Sequence, residues 1–127
     1  MLSFFKRSAG PAPLQVKRLT EDFAISGQIS VENVAELKAA GYETIICNRP
    51  DGESAGQPGI VDIKRAAEAV GVAFTAVPIR PGHATAEDVA AMADALATMP
   101  TPILAYCASG ARAVALYQAA QAQQSNA

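Results

Sequence analysis

Residues 103–112 read ILAYCASGAR. The apolar run Ile103 to Tyr106 is the right length for a buried strand, and Ala111 or Arg112 onward to about Gln121 reads as a helix. Between them lies a short loop holding Cys107, small residues, Gly110 and, at its far side, Arg112. A loop that runs from a strand end into a helix N-terminus aims several backbone N–H groups and the positive end of the helix dipole at one point, where anions are favoured. A thiol at the head of such a loop has its thiolate stabilised by the same donors. Arg112 adds a permanent charge and a planar fork able to hold two oxygens of a compact anion. Gly110 permits positive φ or close approach, while Ala108 and Ala111 keep the ring clear. The plainer reading is also open: Cys107 as a small buried hydrophobe and Arg112 as a solvated first-turn residue.

Outward from this stretch, strands and helices alternate. Gln15 to Leu19 and Phe23 to Ser26 form a predicted hairpin around Thr20-Glu21-Asp22, broken by Gly27. Ser30 caps a predicted helix that ends at Gly41, and Thr44 to Cys47 is a continuous apolar strand bounded by Asn48-Arg49-Pro50-Asp51-Gly52. A second helix follows Pro58-Gly59 with Ile60, Ile63, Ala67 and Val70 on one face and stops at Gly71. Val72 to Pro78 supplies another strand. Thr85-Ala86-Glu87-Asp88 matches a capping box, followed by Val89, Met92, Ala93 and Leu96 at helical spacing. Continuously apolar strands between helices predict an α/β single domain: a mostly parallel central sheet of about five strands, flanked by helices. Ligands of such sheets bind beyond the carboxyl ends of the strands, where Asn48 to Gly52, Arg80 to His83 and Cys107 to Arg112 all fall.

The chain has 127 residues, enough for one domain that buries roughly two-thirds of its unfolded surface. Residues 1–14 read as a flexible N-terminal tail, 15–121 as the domain and 122–127 as a polar C-terminal tail. With 17% charged residues and a formal net charge of −2, there is no basic field for nucleic acid or anionic lipid. Two cysteines and one histidine make neither a disulfide framework nor a zinc spacing, so neither metal nor cofactor is expected and a reducing, cytoplasmic setting is the simpler inference. The opening MLSFFKRSAGPAP lacks the apolar core of a signal peptide, and nothing approaches a membrane span, although a short membrane-surface anchor remains an alternative.

The pattern C-x-x-G-x-R after an apolar strand, with Ser26-Gly27-Gln28-Ile29-Ser30, Cys47-Asn48-Arg49-Pro50-Asp51-Gly52-Glu53, Gly56-Gln57-Pro58 and Thr85-Ala86-Glu87-Asp88-Val89, resembles the beta-lactamase-hydrolase-like protein, phosphatase-like domain family. The resemblance spans about residues 15 to 118. It implies a bacterial domain with a fold similar to dual-specificity and tyrosine phosphatases, the cysteine strand central in the sheet. Members are described both as candidate phosphatases and as sulfur transferases, and some are fused to redox or sulfur-handling modules.

Three departures from the phosphatase pattern bear on the chemistry. Tyrosine phosphatases use C-x5-R, whereas four residues separate Cys107 from Arg112, as in rhodanese-type sulfurtransferase loops. The loop Ile79-Arg80-Pro81-Gly82-His83-Ala84 lacks the general-acid aspartate. Ala113 stands where phosphatases carry Ser or Thr. The first expectation is therefore transfer of a sulfane sulfur from a small anionic donor, thiosulfate or a persulfide, through Cys107 to an acceptor thiol. Hydrolysis of phosphate esters through a Cys107 phosphoenzyme is the second, and a non-catalytic anion-binding module the third.

Cys107 and Arg112 are the candidate catalytic pair and Ala108, Ser109, Gly110 and Ala111 the candidate anion-binding loop. Arg49, Asp51 and His83 are candidates for the substrate rim. Each has an alternative: Arg49 pairing with Glu53 on the surface, Asp51-Gly52 simply making a bend, His83 exposed and idle. Ser109 is either a loop donor or solvated. Cys47 is read either as core or as a thiol that resolves an oxidised Cys107, Tyr106 as packed under the sheet, and Thr85 as a helix cap.

Overall fold

The computed structural model describes residues 13–125. Its elements run β1 (Val16–Arg18), β2 (Phe23–Ser26), α1 (Val31–Ala39), β3 (Thr44–Cys47), α2 (Ile60–Ala69), β4 (Ala73–Ala76), α3 (Ala86–Thr98), β5 (Ile103–Tyr106) and α4 (Ala111–Ser125). The sheet order is β1-β2-β5-β3-β4, with β1 antiparallel to β2 and every other pair parallel. The α/β expectation holds, and the sheet is mixed through its first hairpin alone. The expected tail over residues 1–14 lies almost wholly outside the described residues.

Burial follows position in the sheet. β5 is the middle strand, and it and its neighbours β2 and β3 are buried along their length, while β4 at one edge is half-buried and β1 at the other is exposed. Alternation along β5 divides the core. Ile103, Ala105 and Cys107 face α3 and α4, packing with Met92, Ala93, Leu116 and Ala120. Leu104 and Tyr106 face α1 and α2, packing with Val34, Leu37, Ile63 and Ala67. Phe23 of β2 stacks on Tyr117 of α4, ring centroids 4.0 Å apart, and fixes that helix across the sheet.

The helix ends obey local chemistry. Ser30 and Asn33 form a reciprocal capping box at α1, and Thr85 and Asp88 form another at α3. Gly41 and Gly71, at φ +103 and +77, close α1 and α2 in the left-handed conformation that glycine tolerates best. The last helix differs from expectation: α4 continues past Gln121 to Ser125, because Ala122 to Gln124 are themselves good helix formers. Among the described residues no helix is long and apolar enough to cross a membrane.

Leu104 has no solvent exposure and sits at the centre of the middle strand. Leu104→Ala is expected to destabilise the fold by about 2–5 kcal/mol, read as a lowered midpoint in urea unfolding with the slope unchanged.

Candidate active site

β5 delivers Cys107 to the carboxyl edge of the sheet, fully buried although it begins a loop. The Gly110 N–H donates to Cys107 Sγ at 3.0 Å, so the backbone curls around the sulfur. Gly110 takes φ +98 to do so and lies against Ile25 and the Ser26 carbonyl, where a Cβ would touch both at 3.4 Å. Ser109 is exposed, and its hydroxyl accepts the Ala111 N–H at 3.3 Å at the start of α4.

The turn after β2 forms the second wall of the loop. The Gln28 N–H donates to the Ala108 carbonyl at 3.3 Å, which holds that oxygen away from the sulfur, and the Cys107 N–H donates to the Ser26 carbonyl at 3.4 Å. A Cβ at Gly27 would stand 2.9 Å from the Ala108 oxygen, closer than real Cβ contacts come. Gly27 reads from sequence only as a strand breaker; its role here is close approach between two backbones brought together by β2–β5 pairing.

Arg112 rises from the first turn of α4 and is held on one edge. Its Nη1 donates to Glu53 Oε2 at 2.8 Å and to the Ile79 carbonyl at 2.8 Å, and its Nη2 donates to Glu53 Oε1 at 2.8 Å. Among the described residues Nε makes no such bond to an oxygen, and the Cys107 sulfur lies beside the guanidinium. The edge formed by Nε and the second Nη2 hydrogen is therefore the one left for an anion at the sulfur. Glu53 also accepts from Arg49 Nε at 2.8 Å, and Arg49 goes on to Gln28 Oε1 at 3.0 Å and Ser54 Oγ at 3.4 Å. Hydrogen bonds from Arg112 and then Arg49 lower the Glu53 carboxyl to about 2. The same pairing with Glu53, reinforced by the nearby sulfur, raises Arg112 above its ordinary value against the opposing effect of burial. Gln57 orders the turn that carries Glu53: its Oε1 accepts the Glu53 N–H at 3.1 Å and its Nε2 donates to the Pro50 carbonyl at 2.8 Å.

Of the candidate rim residues, Arg49 does pair with Glu53, but it is buried rather than on the surface. Asp51 accepts the Ile60 N–H at 2.8 Å and so serves the N-terminus of α2. His83 is exposed in the turn Arg80-Pro81-Gly82-His83, closed by its N–H to the Arg80 carbonyl at 3.0 Å with Gly82 at φ +75.

Cys47 is core. β3 and β5 pair with Cys47 opposite Tyr106, so the side chains of Cys47 and Cys107 project from opposite faces of the sheet. The Cys47 thiol donates to the Arg49 carbonyl at 3.2 Å, and burial raises its pKa, with Tyr106 beside it opposing. The resolving role fails on this geometry. Asn48, which the sequence places in the loop after β3 without a role of its own, continues β3 on the same face as Cys107. Its N–H donates to the Tyr106 carbonyl at 2.7 Å, its Nδ2 donates to the Val77 carbonyl at 3.0 Å, and its Oδ1 is buried without a hydrogen-bond partner among the described residues.

A mostly parallel sheet whose middle strand ends in a cysteine, followed by a backbone cradle and an arginine on the next helix, defines a cysteine-based, phosphatase-like α/β domain. Residues 15–124 match the family "Beta-lactamase hydrolase-like protein, phosphatase-like domain", and the chain belongs to it. It is 36% identical over 104 residues to a beta-lactamase hydrolase-like protein of Agrobacterium fabrum, matching 82% of this chain and 24% of that one. The chain thus spans about a quarter of that curated relative. A crystal structure from Neisseria meningitidis, provisionally named a phosphatase, superposes with a TM-score of 0.73 at 33% identity, covering 80% of this chain and 72% of the other. Another from Shewanella putrefaciens, named in the same provisional way, gives 0.75 at 23% identity over 96% and 78% and shares the fold.

Glu53→Gln is expected to keep the fold and to slow chemistry at Cys107 by up to about 100-fold, through loss of orientation at Arg112. Alkylation and turnover rates measured beside circular dichroism check this, and an unchanged rate would remove Glu53 from the site. The pH dependence has a definite sign. Because the folded carboxyl is lowered, the clamp's contribution is complete above the ordinary value of 4.5 and is lost as pH falls through about 2. Stability of wild type minus Glu53→Gln, followed from pH 6 downward, should shrink over that interval.

Proposed function

We propose that the domain is a cysteine-dependent sulfur transferase. The observation that carries this reading is the state of the carboxylates near the loop. Glu53 is held ionised between two arginines and has no proton to give, and Asp51 is engaged at the start of α2. The segment Arg80 to Ala84 carries no carboxylate. Phosphate ester cleavage needs a proton for its leaving alkoxide, whereas sulfite or a thiolate departs without one. The four-residue spacing from Cys107 to Arg112 supports the same reading, since a smaller cradle suits a single sulfur. So does Ala113, which is buried and supplies no hydroxyl for a second hydrolytic step.

The transfer runs in two displacements. Cys107 thiolate attacks the outer sulfur of thiosulfate while the free edge of Arg112 and the uncommitted N–H groups of the loop hold the sulfonate oxygens. A new S–S bond forms, the old one breaks, and sulfite leaves with the electron pair. An acceptor thiolate then attacks the outer sulfur of the persulfide, and Cys107 departs as thiolate. A low-molecular-weight persulfide donates in the same way, with its thiolate as the leaving group. No cofactor enters either step.

The second reading, hydrolysis of a phosphate monoester through a Cys107 phosphoenzyme, is favoured by the family's phosphatase-like character and by the backbone cradle itself. Intact-protein mass separates the two. Reduced wild type incubated with thiosulfate is expected to gain one cyanide-labile sulfur, Cys107→Ser none, and para-nitrophenyl phosphate turnover to be negligible on the same samples. Arg112→Lys should load at least about tenfold more slowly, because an ammonium cannot reproduce the two-pronged grip. Phosphate release that requires Cys107, with no added sulfur, would overturn the proposal in favour of the hydrolase. Neither modification nor turnover would leave an anion-binding module.

A further inference from the structure

The segment that supplies Arg112 with its bond outside Glu53 is short and has few holds. Beyond β4 the chain runs Val77-Pro78-Ile79, with Val77 and Ile79 buried and Pro78 exposed. The Val77 N–H donates to the Cys47 carbonyl at 2.9 Å, and the Ile79 N–H donates to the Asn48 carbonyl at 3.2 Å. Pro78 has no N–H to give. The Val77 carbonyl, between these holds, is taken by a side chain: Asn48 Nδ2 donates to it at 3.0 Å. Asn48 thus grips the chain on both sides of Pro78, once through its backbone and once through its amide. Its own N–H donates to the Tyr106 carbonyl at 2.7 Å, so the same residue ties this segment to the strand that delivers Cys107.

The backbone holds are open to any residue with the same conformation at position 48, whereas the bond to Val77 needs a side-chain donor. Asn48 is fully buried, and its Oδ1 has no hydrogen-bond partner among the described residues. A buried acceptor left unpaired is a cost to the fold that a leucine of similar volume avoids. What the amide supplies in return is the bond to Val77.

Arg112 is where that bond is felt. The two Glu53 oxygens hold Nη1 and Nη2 in line, which leaves the guanidinium one soft rotation, about the line joining those oxygens. The Ile79 carbonyl, from a different loop, removes that rotation by accepting from Nη1 at 2.8 Å. If the Val77 carbonyl turns away, Ile79 two residues on turns with it, and the free edge of Arg112 tilts from the sulfur.

We infer that Asn48 is a positioning residue for the anion grip: through the Val77 carbonyl it fixes the Ile79 carbonyl, and through that the plane of Arg112. This rests on the Arg112 grip that the sulfur-transfer reading uses, and it acts on any small anion brought to Cys107.

The test reads the grip without sulfur chemistry. Full-chain wild type, Asn48→Leu, Asn48→Ala, Arg112→Ala and Arg112→Ala/Asn48→Leu are alkylated with anionic iodoacetate or neutral iodoacetamide. Intact mass follows the modification, and Cys107→Ser gives the background from Cys47. The preference for iodoacetate, taken relative to glutathione, is expected to fall about fivefold in Asn48→Leu, because small misplacements of a positioned group are felt strongly. The iodoacetamide rate and the urea midpoint of that variant should change little. Asn48→Ala, which also empties volume, should show the same fall in preference with a lower urea midpoint. In the Arg112→Ala background, Asn48→Leu should leave the preference unchanged, since the two residues act in series. A fall of the same size with and without Arg112, parallel changes with both reagents, or failure of both Asn48 variants to fold would overturn the inference. So would a preference that Arg112→Ala leaves intact. Thiosulfate loading is scored separately on the same proteins: if no sulfur adds while the alkylation pattern holds, the sulfur reading falls and Asn48 keeps its role.

Discussion

Four loops at the carboxyl edge of the sheet are tied together through one carboxylate. Glu53, carried by the segment after β3, receives Arg112 from the start of α4 and Arg49 from its own turn, while Arg49 reaches on to Gln28 after β2 and Arg112 to the Ile79 carbonyl after β4. A bidentate pair fixes direction as well as distance. With the end of the guanidinium held, its remaining edge has one orientation relative to the sulfur. The clamp also explains why this carboxylate is unsuited to proton transfer: the contacts that orient the arginine keep the acid ionised.

Close backbone approach is the second constraint, and it is geometric rather than electrostatic. The turn at Ser26 to Gln28 accepts one loop N–H and donates to one loop carbonyl, and the Gly110 N–H turns to the sulfur. The arrangement depends on Gly27 lacking a side chain. It is possible because β2 and β5 are parallel neighbours, which places the turn after one strand against the loop after the other. Sheet order and site geometry are one problem here.

What the sequence reveals about this chain is what local chemistry controls. The capping box at Thr85 to Asp88, the glycines that close α1 and α2, and the strand–loop–helix reading around Cys107 all depend on residues within a turn or two of each other, and all appear where expected. The resemblance carried by the loop and its companion motifs adds the family and places β5 at the centre of the sheet. The partner of Arg112 is 59 residues away and becomes its neighbour only through the order β5-β3-β4, which no local pattern encodes. Asn48 was hidden for a related reason. Its buried Oδ1 gains meaning only once strand register puts it on the face of Cys107.

The middle of the sheet also acts as a partition between the two thiols. Cys47 and Cys107 end adjacent strands, yet the alternation of side chains sends one toward α1 and α2 and the other toward α3 and α4. An oxidant that reaches Cys107 therefore finds no second thiol on its side of the sheet with which to close an internal bridge. The domain cannot store two oxidising equivalents in a disulfide between these two thiols, and restoration of Cys107 falls to a reductant from outside the domain.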